Sequence, residues 1–270
     1  MRDVESEVFI EARMLGPLRL CAPRSAVPSA AKPRTLLALF VLNPGRQFPA
    51  SSLITELWED RPPLSAAATL QTYILQLRKL LATATDVTPA VVSESLLRTM
   101  NGGYVFTPGD MWLDVHEFHR LSMRADARSR AGRGAEAVEA YRAAEGLWTG
   151  SALVDVEQGP VLRAEVARLE QSALSVKERR LAAELRMGYH RAALGDLASL
   201  VVQHPFHEGL HAQFMVALYR SGNRTAALDV FHGLRRTMAD ELGLGLSRNL
   251  HELQHAIINA DLVPDELAMI

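Results

Sequence analysis

The feature that most narrows the fold is a step that repeats along the second half of the chain. Ala193-Leu194 followed by Leu197 recurs as Ala227-Leu228 followed by Phe231, at an offset of 34 residues. That is the period of a tetratricopeptide unit, a helix pair that buries its apolar face only by stacking on a neighbour. Ala137-Val138 followed by Tyr141 shows the same step 56 residues earlier, which leaves room for one elongated helix between them. Small residues at these places let paired helices approach closely, and the large residue one turn later fills the gap. Segments near 114–130, 134–149, 160–188, 190–203, 207–220, 224–240 and 246–260 all carry helical spacing. Gly150, Gly159-Pro160, Pro205, Gly222, Gly243 and Gly245 punctuate them. An ordinary helical bundle is the alternative to the repeat.

The first half mixes periods. Val8 to Leu20, interrupted by Gly16-Pro17, reads as short strands with a turn. Lys32 to Leu42 is helical, with Pro33 in the first turn, where proline is tolerated, and Asn43-Pro44-Gly45 stops it. Ala50-Ser51-Ser52 leads into a second helix, Leu53 to Trp58, with Leu53, Ile54, Leu57 and Trp58 on one face. Arg61-Pro62-Pro63 breaks the chain, and a longer helix follows from Ser65 to Leu81. Val91–Ser93 and Tyr104–Phe106 read as strands, and Arg98 to Gly103 between them carries hairpin-turn chemistry. The order is therefore strands, three helices and a β-hairpin, then helices only. The fold class is mainly α with a small β component.

Composition removes several classes. One cysteine, Cys21, allows neither an internal disulfide framework nor a four-cysteine zinc site, and fits a reducing cytoplasm. No apolar run reaches the length of a membrane span; the longest, Leu36 to Leu42, suits a core helix. Residues 1–11 carry Asp3, Glu5, Glu7 and Glu11 and lack the basic start of a secretion signal, so they read as an acidic extension. Residues 12–110 hold 10 Lys/Arg against 6 Asp/Glu, whereas 111–270 hold 18 against 21. A weakly basic first half is compatible with nucleic acid.

The third helix carries the functional reading. At 100° per residue, Ala67, Leu70, Ile74, Leu77 and Leu81 form one stripe flanked by Tyr73 and Leu80. The opposite face carries Ser65, Ala68, Thr69, Thr72, Leu75, Gln76 and Lys79, with Gln71 and Arg78 on a shoulder. No acidic residue lies between Arg61 and Thr85. Small residues permit close approach to a duplex, Thr and Gln can read base edges, and Arg78 and Lys79 can meet phosphates. The competing interpretation is an amphipathic helix with a mild polar face. Asn101-Gly102-Gly103, with Arg98 and Thr99 at its base, adds a hairpin able to lie against the adjacent minor groove or backbone; alone, it is a plain turn.

These residues resemble a known family. Leu15-Gly16-Pro17-Leu18, the run Lys32 to Leu39, Leu53-Ile54-Thr55-Glu56-Leu57-Trp58, the run Thr69 to Leu81 and Gly102-Gly103-Tyr104 are similar to the Streptomyces antibiotic regulatory proteins. In the second half, Tyr141 to Ala144, Leu147 to Gly150, His204-Pro205 and Glu241-Leu242-Gly243 resemble that family's bacterial transcriptional activation domain. The resemblance covers roughly residues 12–260. It implies an OmpR-type winged helix-turn-helix domain over 12–110, tetratricopeptide-like helices over 111–262, and a tail at 263–270. It further implies an activator of an antibiotic gene cluster that binds promoter direct repeats near the −35 region and recruits RNA polymerase holoenzyme, with self-association on DNA. The family's recognition helix falls on Ser65–Leu81 and its wing on Arg98–Phe106. DNA contacts then fall to Thr69, Gln71, Thr72, Tyr73, Gln76, Arg78, Lys79, Arg98, Thr99, Asn101, Gly102 and Gly103. Many members carry a further basic residue where this chain has Leu75-Gln76, which bears on base preference. There is no phosphate loop ending in Lys-Ser or Lys-Thr, and the stretch before residue 12 is too short for a receiver domain, so phosphorelay control in cis is not expected.

Other constellations point to no chemistry. His204, His207 and His211 could share a helical face, as could His251 and His255, but no cysteine is near and HExxH is absent, so no metal is expected. No nucleophile-elbow pattern and no cofactor motif is present, so an enzyme is not expected. Trp58, Trp112 and Trp148 are expected to fill cores. The alternative function is a helical-repeat adaptor or ligand sensor without direct DNA binding.

Overall fold

Alternating buried and exposed residues at the start of the chain make two short strands, β1 (Ile10–Arg13) and β2 (Arg19–Ala22), which pair antiparallel across Gly16-Pro17. The computed structural model describes residues 9–25 and 27–259. The acidic extension therefore lies outside the described residues up to position 8, while Ile10 and Glu11 already belong to β1. The 263–270 tail lies wholly outside them. β3 (Arg24–Ser25) extends the sheet antiparallel to β2, and β7 (Met111–Leu113) lies parallel to β1, giving the order β3-β2-β1-β7. Directly after β7, the buried Asp114 accepts from the backbone N–H of Met14 at 2.8 Å and of Leu15 at 2.9 Å, closing the end of that sheet.

The three helices expected in the first half are present. α1 (Ala31–Leu42) has Pro33 in its first turn and buries Leu36 to Val41 on all sides. α2 (Ala50–Trp58) follows the short strand β4 (Gln47–Pro49) and buries Leu53, Glu56 and Leu57. α3 (Ala66–Thr85) buries Ala66, Leu70, Ile74, Leu77 and Leu81. The stripe thus starts at Ala66, and Ala67, assigned to it from the sequence, is exposed. Each fully buried leucine contributes about 1.5–3 kcal/mol of apolar transfer, so this seam fixes which side of α3 faces outward.

Val91–Ser93 is not a strand. Thr88 accepts from the Val91 N–H and Pro89 sits at the first helical position, so the chain forms a helical turn, α4 (Pro89–Val91), that runs on as a π-helical segment, Val92–Leu96. The hairpin strands are β5 (Leu97–Met100) and β6 (Gly103–Phe106), with β4 on the far side of β6. Arg98, Thr99 and Met100 therefore lie in a strand, and the turn is Asn101-Gly102 alone. Both turn residues have positive φ, 28° and 79°, the type I′ geometry that matches the twist of a two-residue hairpin.

Compact packing divides the chain into Met1–Arg120 with Ala144–Ala173, and Leu121–Ala143 with Leu174–Ile270. In the first unit, residues 144–173 are bound into the winged-helix segment. Leu153 N–H donates to the carbonyls of Met14 and Gly16, Thr149 N–H to that of Leu15, and Leu18 N–H to Asp155. Arg34 pairs with Asp155 at 3.1 Å and the Thr35 hydroxyl donates to the Glu157 carbonyl at 2.7 Å. By contact, this unit is larger than the 12–110 span read from the sequence.

The second unit is built from helices: α5 (Asp114–Arg130), α6 (Gly134–Glu145), α7 (Pro160–Arg186), α8 (His190–Gln203), α9 (Glu208–Arg220), α10 (Arg224–Thr237) and α11 (Arg248–Asn259), of which α5, α6 and α7 begin or end in the first. The repeated step is its core. Ala137, Ala193 and Ala227 are buried, as are Tyr141, Leu197 and Phe231 one turn later. One apolar cluster joins α7, α8 and α9, and another joins α9, α10 and α11, the nearest-neighbour stacking expected of a helical repeat. The three tryptophans are half-buried rather than core residues. Trp58 stacks on Tyr73, Arg13 lies over Trp112, and Trp148 meets Phe118 edge-on.

Candidate nucleic-acid interface

α2 and α3 are joined by a turn that starts at Glu59, whose φ of 50° ends α2, and passes through Pro62-Pro63. The Ala66 N–H donates to the Pro63 carbonyl and the Thr69 N–H to the Ser65 carbonyl, so the turn feeds directly into α3. The rings of Trp58 and Tyr73 lie 6.3 Å apart and nearly parallel at 21°, which fixes the two helices against each other. With Leu70, Ile74, Leu77 and Leu81 turned inward, the other side of α3 faces solvent.

That outer side divides into committed and free groups. The Thr72 hydroxyl donates to the Ala68 carbonyl at 3.1 Å, and Ser65 and Thr69 share a hydrogen bond at 3.3 Å. Gln71, Gln76 and Lys79 are exposed, and among the described residues their side chains have no hydrogen-bond or ion-pair partner. Leu75 is half-exposed beside them. The surface thus offers two amides and one ammonium without internal partners, on a rigid helix.

Arg78 turns to the hairpin instead. Its Nε donates to the Leu97 carbonyl at 3.0 Å and its Nη2 to the Thr99 hydroxyl at 2.9 Å. Burial draws its pKa below the ordinary arginine value, and Tyr104 nearby opposes that; the group remains a cation at neutral pH. The guanidinium bridges α3 and β5, a use that spacing alone does not reveal. The turn is anchored at its other end, where the Ala50 N–H at the start of α2 donates to the Gly102 carbonyl at 3.0 Å.

The remaining sequence-derived residues fall into place around this bridge. Thr99, Asn101 and Gly102 are exposed, and Arg98 is half-buried with its Nη2 on the Met100 sulfur at 3.4 Å. Gly103 is buried, and a Cβ there would lie 2.2 Å from the Phe48 carbonyl oxygen. Its part is close packing of β6 on β4. Tyr73 is likewise half-buried in its stack on Trp58. Sequence reasoning missed Arg46, exposed beside β4 with its guanidinium 4.8 Å from the Phe48 ring centre. The pairing of β4 with β6 brings it to the hairpin, and no local pattern signals that pairing.

Two of the histidines singled out in the helical unit, His207 and His211, bond within it, whereas His251 and His255 are exposed. His207 Nδ1 accepts from the Leu210 N–H at the start of α9, its Nε2 lies 3.1 Å from Glu178, and His211 Nδ1 bonds the His207 carbonyl. Among the described residues no group of three His, Cys, Asp or Glu is placed to hold a metal, and no helix is long and apolar enough to cross a membrane.

A helix-turn-helix with a hairpin wing, followed in sequence by stacked helix pairs, defines a winged-helix regulator of transcription. Comparison with known proteins agrees. Residues 25–106 match the family described as "Transcriptional regulatory protein, C terminal", and residues 113–258 match the "Bacterial transcriptional activator domain". Regulatory protein DnrI of Streptomyces peucetius is 42% identical over 93% of this chain and 93% of that protein. Regulatory protein AfsR of Streptomyces griseus is 37% identical over 94% of this chain, a match that spans 25% of that longer protein. The solved structure of Mycobacterium tuberculosis EmbR, in complex with a low-affinity phosphopeptide, superposes with a TM-score of 0.84 at 28% identity, covering 96% of this chain and 68% of that one. The chain belongs to the Streptomyces antibiotic regulatory protein family. It is a DNA-binding transcriptional activator of that type, an OmpR-type winged helix joined to an all-helical activation domain.

Proposed function

We propose that this chain activates a secondary-metabolite gene cluster by reading direct repeats near the −35 region through the outer face of α3, and that it recruits RNA polymerase holoenzyme to those promoters. Residues 12–110 are the DNA-binding module and 111–262 the activation domain. Gln71 and Gln76 read base edges, bidentate pairing with adenine being the natural use of a free glutamine amide. The Thr72 hydroxyl commits its proton to Ala68, so it meets a base as an acceptor, its partner an exocyclic amino group. Lys79 and Arg98 meet phosphates, while Thr99, Asn101 and Gly102 lie against the adjacent minor groove or backbone. Direct repeats imply protomers placed head-to-tail, with half-sites about 10–10.5 bp apart.

The observation that carries this reading is the set of unpartnered donors, Gln71, Gln76 and Lys79, on the exposed side of a helix whose other side is locked by leucines. An electrophoretic titration against promoter repeats at several salt concentrations tests it. Lys79→Ala weakens binding to every sequence and lowers the salt slope by about 1. Gln76→Ala changes the ranking of operator variants and leaves that slope alone. Identical behaviour of the two variants, or no binding in dilute buffer, overturns the assignment.

A further inference from the structure

α5 begins at the residue after β7 and runs from the first unit into the second, and its outward side is rich in arginine. Val115, Phe118 and Ala125 turn inward. At 100° per residue, Arg120, Arg124, Ala127 and Arg130 fall on the opposite side, and all four are exposed. The three carboxylates between residues 115 and 138 are already engaged. Glu117 accepts from Arg120 at 2.6 Å, and Asp126 accepts from Tyr141 and Arg179. Glu136 of α6 lies 3.5 Å from Arg128 and 3.6 Å from Arg133. Arg124 and Arg130 are left without a hydrogen-bond or ion-pair partner among the described residues.

Helix stability does not account for this pattern. Cations in the last turn favour the helix dipole, which suits Arg128 and Arg130. Arg124 lies before that turn and stands four residues from both Arg120 and Arg128, a spacing at which like charges destabilise a helix. Met123 is the exposed large apolar group of α5. This side therefore offers free guanidiniums and the small Ala127 between them, and little of the apolar centre that a protein partner would bury. Neutralising phosphates needs only the cations, and the small residue lets them approach closely.

We propose that the outward side of α5 is a second DNA contact, in which Arg124 and Arg130 meet phosphates of the bound duplex; this rests on the chain's binding of duplex DNA. Their backbones are about 9 Å apart along the helix axis, and each strand of B-form DNA carries a phosphate about every 3.4 Å of its axis, so both guanidiniums can engage one strand. Guanidinium forks match paired phosphate oxygens and read no base, so the contact adds affinity and salt dependence without sequence preference. Electrophoretic titration of the full chain on a duplex of promoter repeats with flanking sequence, across a salt series, tests this. Arg124→Ala and Arg130→Ala each lower the slope of log affinity against log salt by about 0.9, and the double variant by about 1.8. The double variant keeps the ranking of operator variants. Neither side chain has a partner to lose, so its melting temperature stays within about 2 °C of the parent's. Arg124→Lys keeps the slope. Arg235→Ala removes an exposed, unpartnered cation of α10 and leaves slope and affinity unchanged. An unchanged slope in the double variant, or an equal loss in Arg235→Ala, overturns the proposal and leaves the α3 assignment standing. So does a double variant that binds DNA as the parent does but fails to activate transcription in a purified system, since a protein would then cover α5. If Lys79→Ala and Gln76→Ala behave alike while the double variant loses its slope, the α3 assignment fails and the α5 contact stands.

Discussion

Glu56 is the buried charge whose removal most directly tests how the first unit is held together. Its side chain is in α2, within a face that otherwise packs Leu53 and Leu57, and the residue is 3% exposed. Among the described residues the carboxylate pairs with no cation. Its two oxygens accept the N–H groups of Val161 at 2.7 Å and Leu162 at 3.1 Å, the first free donors of α7, and so act as that helix's N-terminal acceptor. The approach is close, since a Cβ on Gly159 would lie 2.0 Å from the Glu56 carbonyl oxygen. Glu56→Ala leaves two N–H groups unmet. A hydrogen bond to a charged partner is worth about 1.5–3 kcal/mol, and loss of a helix cap about 1 kcal/mol. These descriptions overlap, so the expected destabilisation is about 3–4 kcal/mol rather than their sum. Glu56→Gln keeps one carbonyl oxygen but points an amide nitrogen at the second donor, for a loss of about 1.5–2 kcal/mol. Glu59→Ala is the control: its ion pair with Arg163 is close at 2.6 Å, yet both side chains are about half exposed, so it contributes about 0–1 kcal/mol. Urea titration read by tryptophan fluorescence should give the largest loss for Glu56→Ala, a smaller one for Glu56→Gln and the smallest for Glu59→Ala. Heating should show a drop of about 10 °C for the first of these. If Glu56→Ala loses no more than Glu59→Ala, the carboxylate is not the cap of α7 and this account of the unit fails.

Gly103→Ala drives a methyl into the Phe48 carbonyl and should cost about 1–3 kcal/mol in denaturant titration, whereas Gly109→Ala meets nothing within 4 Å and should be near neutral. Arg78→Lys keeps the charge but cannot span both the Leu97 carbonyl and the Thr99 hydroxyl. Amide exchange in β5 should accelerate roughly fivefold or more and DNA affinity should fall at an unchanged salt slope; a reduced slope would make Arg78 a phosphate contact after all. Tyr141→Phe removes a hydrogen bond to Asp126, worth about 1.5–3 kcal/mol at neutral pH. Because the folded chain raises this phenol's pKa, the unfolded chain loses the proton first, so the tyrosine's advantage is fully present below about pH 10 and declines above it. Stability measured against pH should therefore show the gap between the two proteins narrowing in alkali, and a constant gap would contradict the buried Tyr141–Asp126 bond.

What the sequence made legible was whatever repeats or sits at a fixed offset. Leu70, Ile74, Leu77 and Leu81 mark the inner side of α3 at helical spacing, and Ala193 and Ala227 mark the stacked pairs. Asn101 and Gly102 mark the wing because a type I′ turn needs positive φ. Errors came where a local preference competed with a cap or a tertiary partner. Val91 and Val92 favour strand by composition, but Thr88 and Pro89 start a helical turn one step earlier. Ala67 and Ala66 differ by 100° around the helix and by nothing in chemistry, so the stripe's first residue could not be chosen from spacing. β4 and β7 span only 3 residues each and have no period to detect. Glu56 was hidden because a glutamate in an amphipathic helix reads as solvated, and its partners lie 105 and 106 residues away. Arg78 reads from spacing as a phosphate contact, whereas its bonds to β5 depend on how the hairpin docks.

The same bonds that were hardest to foresee explain how so few free side chains can specify a site. Arg78 fastens the middle of α3 to β5, Gly102 fastens the turn to the first residue of α2, and the Trp58–Tyr73 stack fastens α2 to α3. Helix, turn and wing are therefore one preorganised surface, and little conformational freedom remains to be lost when it meets a duplex. On such a surface the positions of Gln71, Gln76 and Lys79 relative to Thr99 and Asn101 are set before binding. On the proposed reading, specificity then follows from the register between two grooves, read at fixed spacing, as much as from any one base contact. It also follows that a substitution in the supporting bonds should weaken all operators together, whereas one in the free amides should reorder them.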